Sequence, residues 1–280
     1  METEPTVAII GAVVLGLVAG SFLNMLVHRL PIMLVRRWRE ECVEATAGGG
    51  AEPAGEPPFN LAVPGSHCPR CERPLGIAEN IPLLGYLLQR GRCRGCHAAI
   101  PPRYPLLEIA CAGVAVAAVA LLGLSVHAVV VALAGWTLLA LAVIDLEHML
   151  LPDTLTLPLL WAGLLWAATS PHGPSAEAAV VGAAAGYLSL RAVGQTFLWG
   201  TGRDGIGHGD YKLTAALGAW LGWTALPALV LVAAVGGLIA ALAPVLAGRP
   251  PSRKIPFGPF LAAAGWLLLL APAPFTGWYL

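Results

Sequence analysis

Twenty-one consecutive residues, from Val7 to Val27, carry no charged side chain. Coiled as a helix rising about 1.5 Å per residue, such a run crosses the roughly 30 Å of hydrocarbon in a bilayer. It is not an isolated anchor. The chain is 57% hydrophobic and only 11% charged, against about 25% charged residues in an ordinary soluble domain, and its mean hydropathy is +0.74. Glu2 and Glu4 precede the run, whereas Arg29, Arg36, Arg37 and Arg39 follow it. A cleavable signal peptide has the opposite charge order and a shorter apolar core. The run therefore reads as a retained span with its N-terminus outside. The formal net charge is zero, and no nucleic-acid partner is expected; the partner that composition implies is the lipid bilayer.

Further apolar stretches lie near 106–124, 126–144, 155–168, 178–198, 213–225, 228–246 and 257–270. Together they predict an all-α polytopic membrane protein of about eight transmembrane helices. With eight spans and an outside N-terminus, the inside segments are about 28–105, 145–154, 199–212 and 247–256. These hold fifteen of the sixteen Lys and Arg residues, as the positive-inside rule requires. Arg191, the sixteenth, lies in the inner half of its span, within snorkelling reach of the inner surface. Splitting the penultimate apolar stretch at Pro227 keeps Arg249, Arg253 and Lys254 inside. Both termini then fall on the outer side. No internal repeat is evident. Three parts follow: a first transmembrane helix at 1–28, a cytoplasmic domain at 29–104, and a seven-helix membrane core at 105–280.

The cytoplasmic domain opens with the helix-friendly "RRWREECVEA" and continues into "TAGGGAEPAGEPP", whose composition suits a flexible loop. "CPRC" at 68–71 and "CRGC" at 93–96 follow. Each C-x-x-C forms a knuckle that can direct two thiolates at one metal, and two knuckles complete a closed tetrahedral site. Cys68, Cys71, Cys93 and Cys96 are thus candidate ligands of a structural zinc ion. Four thiolates leave no open position for a catalytic water. Arg70, Arg92 and Arg94 are expected to favour the thiolate form. Cys42 and Cys111 are left over, Cys111 as an apolar packing residue.

Beyond this domain there are seven acids: Glu108, Asp145, Glu147, Asp153, Glu177, Asp204 and Asp210. Asp145 ends the third span in "LAVIDLEHMLLPD", and Asp210 begins the sixth in "GHGDYKLTAALGAW". The topology places both at the cytoplasmic ends of their helices, where they can share one depth. Two carboxylates that meet in a poorly hydrated site share a proton. One can then take a proton from water while the other polarises a carbonyl, as in aspartic proteases. Five glycines within 200–209 supply a backbone that an extended peptide can approach, and Pro152 stops the third span from running into the fourth. Other readings stand beside this one. Intramembrane acids also line ion and proton pathways, and Asp210 could serve as an N-cap, as Asp153 would for the fourth span. Glu108, one turn into its span, is a candidate supporting acid. His148, one turn from Asp145, is a candidate for orienting it, and Lys212 for pairing with an acid such as Asp210. "GTGRDG" at 200–205 matches G-x-G-x-x-G only formally, since it follows a membrane span rather than a strand.

At the level of whole motifs, the chain resembles the bacterial type IV prepilin peptidases, the leader peptidase/N-methyltransferases. "GSFLNMLVHRLP", "CPRC", "ENIPLLGYL", "GRCRGC", "RYPLLE", "DLEHMLLPD", "GHGDYKL" and "IPFGPFLAAAGW" follow one another in that family's order and cover nearly the whole chain. The resemblance implies that Asp145 and Asp210 are the catalytic pair of a GxGD-type aspartic protease, with Gly207 and Gly209 in the substrate loop. It implies that the four cysteines hold the metal of the cytoplasmic domain. It also implies prepilin and type II secretion pseudopilin substrates, whose short basic leaders are cut at the cytoplasmic face of the bacterial inner membrane. The resemblance further implies that the new N-terminal residue is methylated with S-adenosylmethionine. No soluble-type S-adenosylmethionine motif is visible, so that binding site is unassigned, and the residues leave the oligomeric state open. The rival readings are a GxGD protease that cuts within the bilayer, a transporter using the intramembrane acids, and a metal-bearing scaffold without catalysis. A transporter would usually show paired broken helices in two halves, and no such symmetry is present.

Overall fold

The computed structural model describes residues 3–47, 58–248 and 255–271. Most of the expected Gly/Pro loop, residues 48–57, lies outside the described residues, as do Arg249, Arg253 and Lys254 and the two chain ends. Among the described residues the protein is all helical, with only isolated bridges in place of strands. Five helical segments among the described residues are long and apolar enough to cross a membrane: 6–46, 103–122, 126–148, 176–201 and 223–246. The chain is an integral membrane protein. The other expected spans form shorter apolar helices, described below. The chain divides into two compact units, residues 1–120 and 121–280.

In the first unit, α1 (Thr3–Ala47) is one continuous helix through Pro31. The expected first span and the charged stretch that follows it are therefore a single element, and a boundary at residue 28 falls inside it. Among its buried positions, Ala12, Gly16, Gly20, Leu23, Val27 and Leu30 recur every three or four residues and form one face. Gly16 and Gly20 let that face meet α3 (Arg103–Leu122) backbone to backbone. A Cβ at either glycine would run into Ala112 or Glu108. This is the small-xxx-small contact of membrane helices.

Between these helices lie two knuckles of the same construction. In the first, the Cys68 N–H donates to Arg73 O (2.9 Å) and the Glu72 N–H to Cys68 O (2.9 Å); in the second, the Cys93 N–H donates to Ala98 O (2.9 Å) and the His97 N–H to Cys93 O (3.0 Å). Glu72 and His97, the residues after each pair, are both left-handed, at φ 57° and 56°. A short helix, α2 (Leu84–Leu88), separates the knuckles. Arg29, buried on α1, donates to the carbonyls of Asn60, Leu61, Pro64 and Gly65. It thereby fixes the chain that leads into the first knuckle.

The second unit holds α4 (Val126–His148), α5 (Asp153–Thr169), α6 (Ala176–Thr201), α7 (His208–Leu221), α8 (Leu226–Leu246) and α9 (Gly258–Leu270). Ser125 and Ser175 cap α4 and α6, each hydroxyl accepting an N–H at 3.1 Å. Helix α7 is the centre. It packs against α5, α6 and α9, and every residue from Leu213 to Trp220 is buried, the pattern of a helix surrounded on all sides. Gly182 and Gly186 of α6 lie against the backbone of Gly218 and Thr214 on α7. Trp220 donates its indole N–H to Leu159 O of α5 at 2.8 Å. The sixth and seventh apolar stretches are separate, as expected, but the break is at Gly222 (φ 79°) rather than at Pro227. Pro227 instead occupies the first turn of α8, where its missing N–H costs no hydrogen bond.

Candidate functional site

The two knuckles bring Cys68, Cys71, Cys93 and Cys96 together, with all four sulfurs within 4.8 Å of one another. The Cys68–Cys96 and Cys71–Cys93 sulfurs are 3.8 and 3.9 Å apart. That is too long for a disulfide and close to the edge, about 3.8 Å, of a tetrahedron with zinc–sulfur bonds of about 2.3 Å. The donor set fits a structural metal ion. Backbone N–H groups of Cys96 and Gly95 push the Cys93 thiol down to about 6, and those of Arg70 and Cys71 lower Cys68. Cys71 feels the Arg73 N–H most strongly, yet burial and the adjacent sulfurs push it up to about 11. Four thiolates thus crowd one another unless a cation sits between them. The strongest thiolate-favouring groups are the knuckle amides, because a C-x-x-C turn aims its N–H groups at its own sulfurs, and the Arg73 guanidinium adds its charge beside Cys93. His67 is turned away, its Nδ1 2.8 Å from Gly65 O.

The acid site lies in the second unit. Asp145 stands in the last turn of α4, which stops where Met149 turns left-handed (φ 54°) and donates its N–H to Asp145 O at 2.9 Å. The Asp145 side chain is 6% exposed. Its Oδ2 accepts the N–H of Gly258, the first residue of α9, at 3.0 Å. An N–H at a helix start has no intrahelical acceptor and faces outward with the positive end of the helix dipole. Asp210, 8% exposed, stands in the first turn of α7. Its N–H donates to Gly207 O at 3.1 Å, and its own carbonyl accepts from Thr214 Oγ1 at 2.8 Å. Gly207, not Asp210, occupies the cap position. Asp210 Oδ1 is buried with no hydrogen-bond partner among the described residues.

Leu151 joins the two sides. A Cβ on Gly209 would fall 2.7 Å from Leu151 Cβ, and one on Gly258 would fall 3.1 Å from Leu151 Cδ2 and 2.6 Å from Asp145 Oδ2. Leu151 thus lies against Gly209, the neighbour of Asp210, and against Gly258, which holds Asp145. One carboxylate is held by a backbone amide, and the other keeps an oxygen unengaged. Such a pair can share a proton and take a second one from water.

The remaining candidates are placed as follows. Gly207 has only Asp210 Oδ2 near its absent Cβ, at 3.2 Å, so backbone can approach there. Gly209 is covered by Leu151. Lys212 pairs with Asp153, both oxygens at 2.7 Å, rather than with Asp210, since it leaves α7 toward the start of α5. Asp153 is the first residue of α5 after the cap position, Pro152, so it is an ion-pair partner and not a cap. His148 is half-exposed beside Glu147, at 4.0 Å, and the partner of the Asp145 carboxylate is the Gly258 amide. Glu108 belongs to the first unit, where it accepts the Leu83 N–H at 2.7 Å. Gly258 and Leu151 were not singled out from the sequence. The Gly-Pro pair that opens α9 is the only local sign of the first, and nothing local marks the second.

The family model for the bacterial peptidase A24 N-terminal domain matches residues 14–122, and that for the type IV leader peptidase family matches residues 132–242. The cysteine cluster lies within the first match, and both aspartates within the second. A prepilin leader peptidase/N-methyltransferase of Aeromonas salmonicida is 47% identical over 95% of this chain and 91% of its own. One of Burkholderia pseudomallei is 49% identical over 94% and 85%, and one of Pseudomonas aeruginosa 43% identical over 100% and 96%. No solved structure is significantly similar to the chain. With near-complete coverage at these identities, the chain belongs to the type IV leader peptidase family.

Proposed function

We propose that the protein removes the short basic leader of type IV prepilins and type II secretion pseudopilins, with Asp145 and Asp210 as the catalytic pair. The observation that carries this reading is a pair of buried carboxylates at helix ends around Leu151, one held by the Gly258 amide and the other with a free oxygen. Water adds across the scissile peptide bond: its oxygen bonds to the carbonyl carbon, the C–N bond breaks, and the amine leaves with the proton relayed by the pair. Gly207 leaves room for an extended substrate backbone beside Asp210. A substrate anchored by its apolar helix would present its cleavage bond at the inner surface, the depth assigned to the two aspartates by the charge distribution. The active site and the cysteine domain would then face the cytoplasm of a bacterial inner membrane, with the termini in the periplasm. The division into a first helix at 1–28, a cytoplasmic domain at 29–104 and a membrane core at 105–280 belongs to the same reading.

The names of the relatives support a second step, N-methylation of the new terminus. The methyl–sulfur bond of S-adenosylmethionine breaks, a nitrogen–methyl bond forms, the amine gives up a proton, and S-adenosylhomocysteine leaves. Zinc is the metal we assign to the four cysteines, in a structural role. The test is to incubate the purified protein with a prepilin and S-adenosylmethionine and to read product masses. Leader loss and methyl gain then appear as separate changes. Asp145→Asn and Asp210→Asn should each abolish leader loss while the protein still inserts. Cleavage at the normal rate by either variant overturns the two-aspartate reading.

A further inference from the structure

The first unit encloses a cavity of about 480 Å³, within the roughly 300–1,000 Å³ range of small-molecule sites. Its wall combines α1, α2, α3 and both knuckles, with Cys68 and Cys93 among the lining residues. The polar groups of this wall include donors, among them Arg70, and a set of buried acceptors. Asn24, 95% buried (5% exposed), donates its amide to Tyr104 O at 3.0 Å, and Gln89 donates its own to Gly85 O at 3.0 Å. These bonds to carbonyls fix which end of each amide is nitrogen. The other ends, Asn24 Oδ1 and Gln89 Oε1, are buried with no hydrogen-bond partner among the described residues. The Glu108 carboxylate also lines the cavity and accepts the Leu83 N–H at 2.7 Å, which leaves it further lone pairs. The guanidinium of Arg29 is committed to the loop carbonyls. Tyr86 and Tyr104 add flat apolar surface.

Buried acceptors without donors are rare in folded proteins unless a ligand or water completes them. Arg70, exposed on the same wall, can meet a carboxylate. A ligand that carries both charges, is rich in N–H and O–H groups and is partly aromatic is complementary. S-adenosylmethionine has these features: an ammonium, a carboxylate, a sulfonium, two ribose hydroxyls and an adenine amino group.

We propose that this cavity is the S-adenosylmethionine site, with Asn24 Oδ1, Gln89 Oε1 and Glu108 accepting hydrogen bonds from its amino and hydroxyl groups. This rests on the methyl-transfer reading above. It also gives the knuckles a task beyond their own folding, since they form one wall of the cavity.

The test is equilibrium binding of labelled S-adenosylmethionine to the full-length protein in detergent, with metal content and melting temperature recorded for every variant. Asn24→Leu and Gln89→Met each remove one orphan acceptor and should weaken binding about tenfold or more. Ala98→Phe fills the cavity from the second knuckle and should abolish binding. Asn24→Leu also strips the Tyr104 carbonyl of its donor, so Gln89→Met and Ala98→Phe, on other elements, carry the test should that variant not fold. Folded variants that bind as tightly as the parent place the site elsewhere and overturn the proposal, with methyl transfer untouched. A parent protein that binds no S-adenosylmethionine overturns the methyl-transfer reading, and the site with it.

Discussion

Asp145 and Gly258 stand 113 positions apart in sequence, yet the amide of the second holds a carboxylate oxygen of the first at 3.0 Å. The contact seats an acid of α4 on the N-terminus of α9. There is no space for a side chain at Gly258, where a Cβ would lie 2.6 Å from that oxygen. Gly258→Ala should therefore displace the carboxylate and reduce leader cleavage by about 100-fold, the effect of a misplacement on the order of 1 Å. Rate assays on membranes with equal amounts of inserted protein will check this. An unchanged rate would show that the amide contact does not matter to the chemistry.

Lys212 follows Asp210 closely in sequence but turns to Asp153, and the two side chains are 35% and 51% exposed. An exposed pair of this kind contributes about 0.2–1 kcal/mol. A double-mutant cycle with Lys212→Gln and Asp153→Asn should return a coupling in that range. The cleavage rate should change no more than a few-fold in either variant. Loss of cleavage in Lys212→Gln alone would place Lys212 in the chemistry instead.

Glu79 sits between the knuckles and is 4% exposed. Its Oε2 accepts the Gly76 N–H at 2.8 Å, while Oε1 meets the guanidinium of Arg73. Those two neighbours, the amide first, hold its carboxyl below the ordinary value of 4.5. A lowered folded value means that the ionised form stabilises the fold. The contribution is complete above the ordinary value and disappears as pH falls through the lower one. Glu79→Gln should thus lower the melting temperature of the cysteine-bearing region at pH 7, and the gap to the parent should close below about pH 4. A gap that stays constant with pH would mean that the carboxylate charge is not what stabilises this region.

Removal of the metal should be visible without any substrate. Cys68 and Cys93 are buried, and small zinc-bound folds commonly unfold when the metal leaves. A strong chelator should expose all four thiols of the cluster to a maleimide reagent and open residues 58–101 to protease, and added zinc should reverse both changes. Thiols that remain protected in the chelated protein would rule out a structural metal.

Legibility from sequence tracked the range of the force involved. Apolar runs separate themselves by hydropathy, so the helices of the membrane core were readable one by one. The four cysteines were readable because a knuckle is local, and Asp145 and Asp210 because a buried acid stands out among apolar neighbours. What could not be read depended on partners distant in sequence. Whether Lys212 would meet Asp210 or Asp153 is decided by how α7 lies on α5. The role of Gly258 exists only once α9 reaches α4. The break at Gly222 was hidden because a positive φ leaves no pattern in hydropathy, whereas Pro227 announces itself. The continuity of α1 was hidden for the opposite reason: its composition changes sharply near Arg29 while its hydrogen bonding does not.

The unbroken α1 has a mechanical consequence. Its 45 residues measure about 68 Å at 1.5 Å each, more than twice the hydrocarbon thickness, so the helix serves as a ruler as well as an anchor. Gly20 grips α3, and nine residues further on Arg29 grips the chain entering the first knuckle. Both grips are on one rigid rod, with a spacing of about 14 Å. The distance along α1 from its contact with α3 to the first knuckle is thereby counted out in residues between one glycine and one arginine.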